Sequence, residues 1–124
     1  MELVIFELGG GRFALRAMTV SQVLDPLPVT PLPYAPADVE GLVNVTGAVL
    51  LKVDLALRLG MAQRTAQETG NLLVVMTGHE SVAVQVDRVF NKVSQDDPSI
   101  KFYGDDQRNP LIQGEFTQGE YMVL

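Results

Sequence analysis

The sequence predicts an all-β protein of many short strands closing into small β-barrels, and three observations carry that expectation. Apolar residues recur in short runs, often at alternate positions. Turn-forming Gly, Pro, Asn and Asp interrupt these runs at close intervals. No stretch holds a helical period for longer than a turn or two, so one or two short helical turns are all the helix expected.

Leu3-Val4-Ile5-Phe6 begins an apolar run that ends at Gly9-Gly10-Gly11, and Arg12-Phe13-Ala14-Leu15-Arg16 follows. Strand, glycine turn and strand is the economical reading. The triple glycine lacks the Lys-Ser/Thr and the helix that a phosphate loop requires, so a hairpin is the better account. Residues 20–25 are again strand-like. Pro26, Pro28, Pro31, Pro33 and Pro36 then exclude a helix or a central strand. An extended crossover is expected there, with Leu27, Val29, Leu32 and Tyr34 along a barrel wall; its proline spacing is poor for a polyproline ligand.

The chain is organised around residues 41–59. From Val43 to Leu55 every odd-numbered residue is apolar or glycine, the period of a half-buried strand, and Thr46-Gly47 breaks it as a hairpin turn would. A two-residue loop would set Val45 beside Ala48 and mix the faces, whereas an odd-numbered loop keeps the odd residues together, so an odd loop is expected. Asp54 is placed to cap a short helical turn that Gly60 stops.

Residues 61–70 are polar and read as a flexible loop. Asn71-Leu72-Leu73-Val74-Val75-Met76 is continuously apolar, which predicts a strand buried on both faces. After a turn at Thr77-Gly78-His79-Glu80, Val82, Val84 and Val86 alternate with Ala83, Gln85 and Asp87, predicting a strand with one wet face that residues 89–93 continue or bend. Asp96-Asp97-Pro98 and Tyr103-Gly104-Asp105-Asp106 are turn chemistry, and residues 110–124 read as a closing hairpin.

The 124 residues are 47% hydrophobic and 19% charged, the composition of an ordinary globule. A formal net charge of −6 with scattered basic residues argues against nucleic-acid binding. No apolar run approaches the ~20 residues of a membrane span, so a soluble, cytoplasmic protein without direct membrane insertion is expected. The lack of cysteine removes disulfide and thiolate chemistry. His79 has no second histidine to join it, Asp54 is followed by Leu55-Ala56 where an aspartic-protease half needs Thr/Ser-Gly, and Asp96, Asp97, Asp105 and Asp106 lack the ligand spacing of an EF-hand loop. The expectation is no catalytic residue, cofactor or metal, hence no enzyme.

Taken together, Phe13, Val20, Val23, Thr30-Pro31-Leu32-Pro33, Ala35-Pro36, Val39, Gly41-Leu42-Val43-Asn44, Gly47, Val53-Asp54-Leu55 and Leu59-Gly60, the later apolar strands with Asp87-Arg88-Val89, and the closing hairpin resemble the CheW-like coupling domain of bacterial chemosensory systems. The resemblance runs essentially from end to end. It implies one domain, residues 1–124, of two intertwined five-stranded SH3-like β-barrels sharing a core. It also implies a non-catalytic scaffold that couples the cytoplasmic tip of a chemoreceptor to the regulatory domain of a CheA-type histidine kinase, recruited to membrane-associated receptor arrays. One barrel would meet the kinase, and the crevice between barrels the receptor helices.

The partner-binding candidates on this reading are Val20, Gln22, Gly41, Val43, Asn44, Thr46, Gly47, Val84 and Val86. Where the family usually reads Asn-Leu-Arg-Gly, this chain has Asn44-Val45-Thr46-Gly47, so threonine replaces an arginine and its five donors. That departure, together with Gln22 where the family favours Glu, motivates a second reading, a divergent regulatory module of the same fold that binds one partner in a pilus-motility or other signalling pathway. Exposed barrel edges also offer a route to a weak homodimer.

Overall fold

The computed structural model describes the backbone of residues 2–60, 70–94, 100–102, 114–116 and 122–123, and the side chains of residues 2–60 and 70–90. Its elements are β1 (Glu2–Leu8), β2 (Gly11–Arg16), a 3-10 turn (Ala17–Thr19), β3 (Val20–Leu24), β4 (Val39–Val45), β5 (Ala48–Val53), α1 (Leu55–Arg58), β6 (Asn71–Thr77), β7 (Glu80–Val86), β8 (Arg88–Ser94), β9 (Ile100–Phe102), β10 (Gly114–Phe116) and β11 (Met122–Val123). They form a six-stranded sheet, β8-β1-β2-β11-β10-β9, and a five-stranded sheet, β3-β6-β7-β5-β4. The first sheet joins both ends of the chain, and the second takes its middle. This is the mainly-β, interleaved architecture expected, with α1 and the 3-10 turn as its short helical pieces. Residues 61–69 and the aspartate turns lie outside the described residues, whereas β10 and β11 do pair antiparallel as the closing hairpin.

The β1–β2 hairpin turns at Gly9 and Gly10, whose φ values of 57° and 84° suit a tight primed turn. Asp87 braces it: its carboxylate accepts from Gly9 N at 2.8 Å, and its own N–H donates to Glu7 O at 2.8 Å. Phe6 stacks on Phe13 with ring centroids 5.9 Å apart. These rings join Leu8 from the first sheet to Val53, Leu73, Val75, Val84 and Val86 from the second in one buried cluster. The second sheet therefore has a shared face, turned toward the first sheet. On its far face Val43, Val45, Leu72, Val74 and Ala83 form a separate cluster, against which Leu24, Leu27, Val29 and Leu50 pack.

Three sequence expectations are corrected by this packing. The β4–β5 loop is even, not odd: Val45 pairs with Ala48 around Thr46 and Gly47, both at positive φ (48° and 92°). That primed turn matches the twist of the flanking strands, and Asn44 Oδ1 accepts from Gly47 N at 2.8 Å to close it. The odd residue appears instead at the other end of the hairpin, as a bulge between Val39 and Gly41. Second, Ala83 and Gln85 are buried rather than wet, because β7 is central and both of its faces are covered. Third, only Leu27 and Val29 of the proline-rich crossover pack on the sheet; Leu32 and Tyr34 face solvent.

The rest of the crossover is fixed by backbone bonds. Thr30 and Leu42 exchange two of them, each 2.8 Å, and Asp54 N donates to Asp38 O at 2.7 Å. Asp54 Oδ1 accepts from Leu57 N at 3.1 Å, the cap expected from the sequence, and Gly60 at φ 83° ends the helical turn.

Candidate functional site

Strand register assembles a surface that no single segment displays. Leu42 pairs with Leu51, Leu51 with Val82, Val82 with Val75 and Val75 with Val20, so one apolar row crosses all five strands of the second sheet on its shared face. The neighbouring row runs Val39, Val53, Val84, Leu73 and Val23. The second row is buried in the middle of the sheet at Val53, Val84 and Leu73, and the first is half-buried there at Val82 and buried at Val75. At the β4–β5 end the cover stops: Leu51 is 38% exposed and Val49, paired with Asn44 on that face, 62%.

The even turn is what puts these side chains there. With Val45 opposite Ala48, the inward residues of β4 lie opposite Leu50 and Lys52, so Val49 and Leu51 point the other way. Lys52 is correspondingly carried inside. It is 3% exposed, its ammonium donates to Gln85 Oε1 at 2.7 Å, and Glu40 stands 3.6 Å away.

The residues singled out from sequence are thus dispersed. Val20 is half-buried in the apolar row, and Asn44 is exposed at its outer margin with its side-chain carbonyl committed to the turn. Thr46 and Gly47 form the exposed tip. Val43 is buried on the far face, Val84 and Val86 in the shared core. A bulge between Val20 and Gln22 pairs Gln22 with Val74, which turns it to the face opposite Val20. Gly41, at φ 150°, lies under the crossover, where a Cβ would collide with the Thr30 carbonyl. Val49 and Leu51, which their odd numbering assigned to the core, are instead the open apolar positions; the signal in the sequence was Thr46-Gly47 read as a complete two-residue turn.

Among the described residues, no group of three His, Asp or Glu side chains stands close enough to hold a metal ion. His79 is exposed in the β6–β7 turn. No helix is long and apolar enough to cross a membrane among the described residues.

Comparison with known proteins points one way. The CheW-like domain family matches residues 2–124. A chemotaxis protein CheW from Rhizobium meliloti is 34% identical over 94% of this chain and 72% of its own length. A probable chemotaxis protein CheW from Rhizobium etli is 32% identical over 81% of this chain and 64% of its own length. The crystal structure of the scaffolding protein TtCheW from Thermoanaerobacter tengcongensis superposes with a TM-score of 0.85 over 98% of this chain and 86% of that one; at 21% identity this likeness speaks to the fold alone.

Proposed function

This chain belongs to the CheW-like domain family, and on that premise we propose that it is a non-catalytic scaffold of a chemotaxis pathway, coupling chemoreceptors to a CheA-type histidine kinase. The observation that carries the reading is the apolar row left open at Leu51, with Val49 exposed beside it on the same face, set on sheets whose shared core makes them one rigid support. Exposed aliphatic side chains beside a half-buried row suit a helical partner that lays an apolar stripe along them, which is the chemistry of a receptor's helical tip. The partner-facing residues on this reading are Val20, Asn44, Thr46, Val49, Leu51 and Val82; Val84 and Val86 adjoin them in the shared core, and Val43 is buried on the opposite face. Affinity for each partner need only be modest, because an array multiplies it.

The test is calorimetry with the regulatory domain of a histidine kinase and with a receptor tip hairpin from the same cell, comparing wild type with Thr46→Arg. Wild-type binding to both is the expected result. Binding to neither at micromolar concentrations would remove the scaffold reading. Binding to the kinase domain by the arginine variant alone would favour the single-partner module, which Thr46 and Gln22 motivate.

A further inference from the structure

We infer that the outer edge of β3 is a self-association surface, on which a second copy of this chain pairs antiparallel to form a two-fold dimer. Each sheet ends in two edge strands, and three of the four are guarded. β4 carries Glu40 and is bridged by Thr30, whose two backbone bonds to Leu42 close part of its outer side. β8 carries Arg88 and Lys92, and β9 carries Lys101. β3 reads Val20-Ser21-Gln22-Val23-Leu24, with no charge and no proline. Among the described residues, no backbone bond reaches residues 21–24 from outside the sheet.

The strand's own sequence selects the occupant. Val20 pairs with Val75 and Val23 with Leu73, so both valines lie on the shared face, and the bulge between Val20 and Gln22 supplies the extra residue that this requires. With a two-fold axis between Ser21 and Gln22, Val20 of each copy stands opposite Val23 of the other, on one face, with equal lengths of strand between the two pairs. Ser21 then faces Gln22, and no like charges meet from residue 20 to residue 24. β-Branched pairs of this kind favour strand pairing. Val23 is 47% exposed and Met18, just before β3, 69%, so apolar surface lies ready along the same edge.

A single strand pair covers less than a standard interface, so the dimer is weak, with half-association expected at about 0.1 mM. Each copy carries a formal net charge of −6, which opposes the approach, and salt should therefore strengthen the dimer. On the scaffold reading Val20 also faces a partner, and a self-paired copy withholds it; the self-pairing itself does not depend on that reading.

Sedimentation equilibrium from about 10 µM to about 1 mM tests this with no partner present. Wild type is expected to pass from monomer to dimer, with hydrogen exchange at residues 21–24 slowing as concentration rises. Its association constant should rise at least about threefold between about 50 and 500 mM salt. Val23→Lys and Gln22→Lys each put a charge on the edge and should weaken association at least about tenfold while melting within about 3 °C of wild type. Met76→Lys makes the same change in net charge at a 48% exposed position on β6 and should leave association unchanged. A wild type still monomeric at about 1 mM, or a dimer whose exchange at residues 21–24 matches the monomer's, overturns the inference whether or not the lysine variants fold. Full association in a folded Val23→Lys or Gln22→Lys, an equal loss in Met76→Lys, or association that weakens with salt overturns it too. All of these outcomes leave the scaffold reading standing.

Discussion

Lys52 Nζ and Gln85 Oε1 meet at 2.7 Å on the far face of the second sheet, joining β5 to β7 where Lys52 is only 3% exposed. Gln85→Leu would leave the buried ammonium facing Glu40, 3.6 Å away, without its amide acceptor, and is expected to cost about 2–3 kcal/mol. Lys52→Met removes the charge along with its desolvation cost and should stay within about 1 kcal/mol of wild type. Urea unfolding of the two variants and of the double variant checks this. Equal losses in both single variants would show that the ammonium is not what makes Gln85 necessary.

Gly41 and Thr30 set a second expectation. A Cβ on residue 41 would collide with the Thr30 carbonyl, and the φ of 150° is one that other residues rarely adopt. Gly41→Ala should therefore lose about 2 kcal/mol or more. Faster hydrogen exchange at the Thr30 and Leu42 amides would show that the loss comes from releasing the crossover. A variant as stable as wild type, with those amides still protected, would show that the strand and crossover separate easily.

Thr46 pays a local cost for the even turn, since a β-branched residue at φ 48° is held in a poorly populated region. Thr46→Asn, which tolerates that backbone, should raise stability by about 1 kcal/mol. Thermal melting measures it, and a lowered midpoint would mean that the threonine side chain is itself stabilising.

Much of this fold was legible because each strand buries what its neighbours in sequence announce. The run at residues 71–76 is buried over Leu72, Leu73, Val74 and Val75 as its composition demands, and Asp54 caps α1 as its position before Leu55 suggests. The site was less legible because it depends on parity. Two hairpins with the same residues but the extra residue at opposite ends, in the turn or at Gly41, expose opposite sides of β5. Lys52 compounds the difficulty: a lysine at an even position looks solvent-facing until Gln85, 33 residues later in sequence, is brought beside it. Tyr34 has the hydrophobicity of a wall residue, yet it stands at positive φ and fully exposed.

Val49 and Leu73 lie on the same face of the same sheet and are expected to respond oppositely to substitution. Leu73 is wholly buried in the core shared with Phe6 and Phe13, so Leu73→Ala should cost about 2–5 kcal/mol. Val49, 62% exposed, has little packing to lose, and Val49→Asp should change stability by no more than about 0.5 kcal/mol. The same charge placed at the open end of the apolar row would have to be desolvated under a helical partner. Binding to the receptor tip hairpin should therefore fall at least about tenfold in Val49→Asp. Matched melting curves and titrations separate these effects: a stable Val49→Asp with full receptor affinity would move the receptor surface away from the β4–β5 hairpin, because Val49 is the most exposed apolar side chain beside the open end of that row.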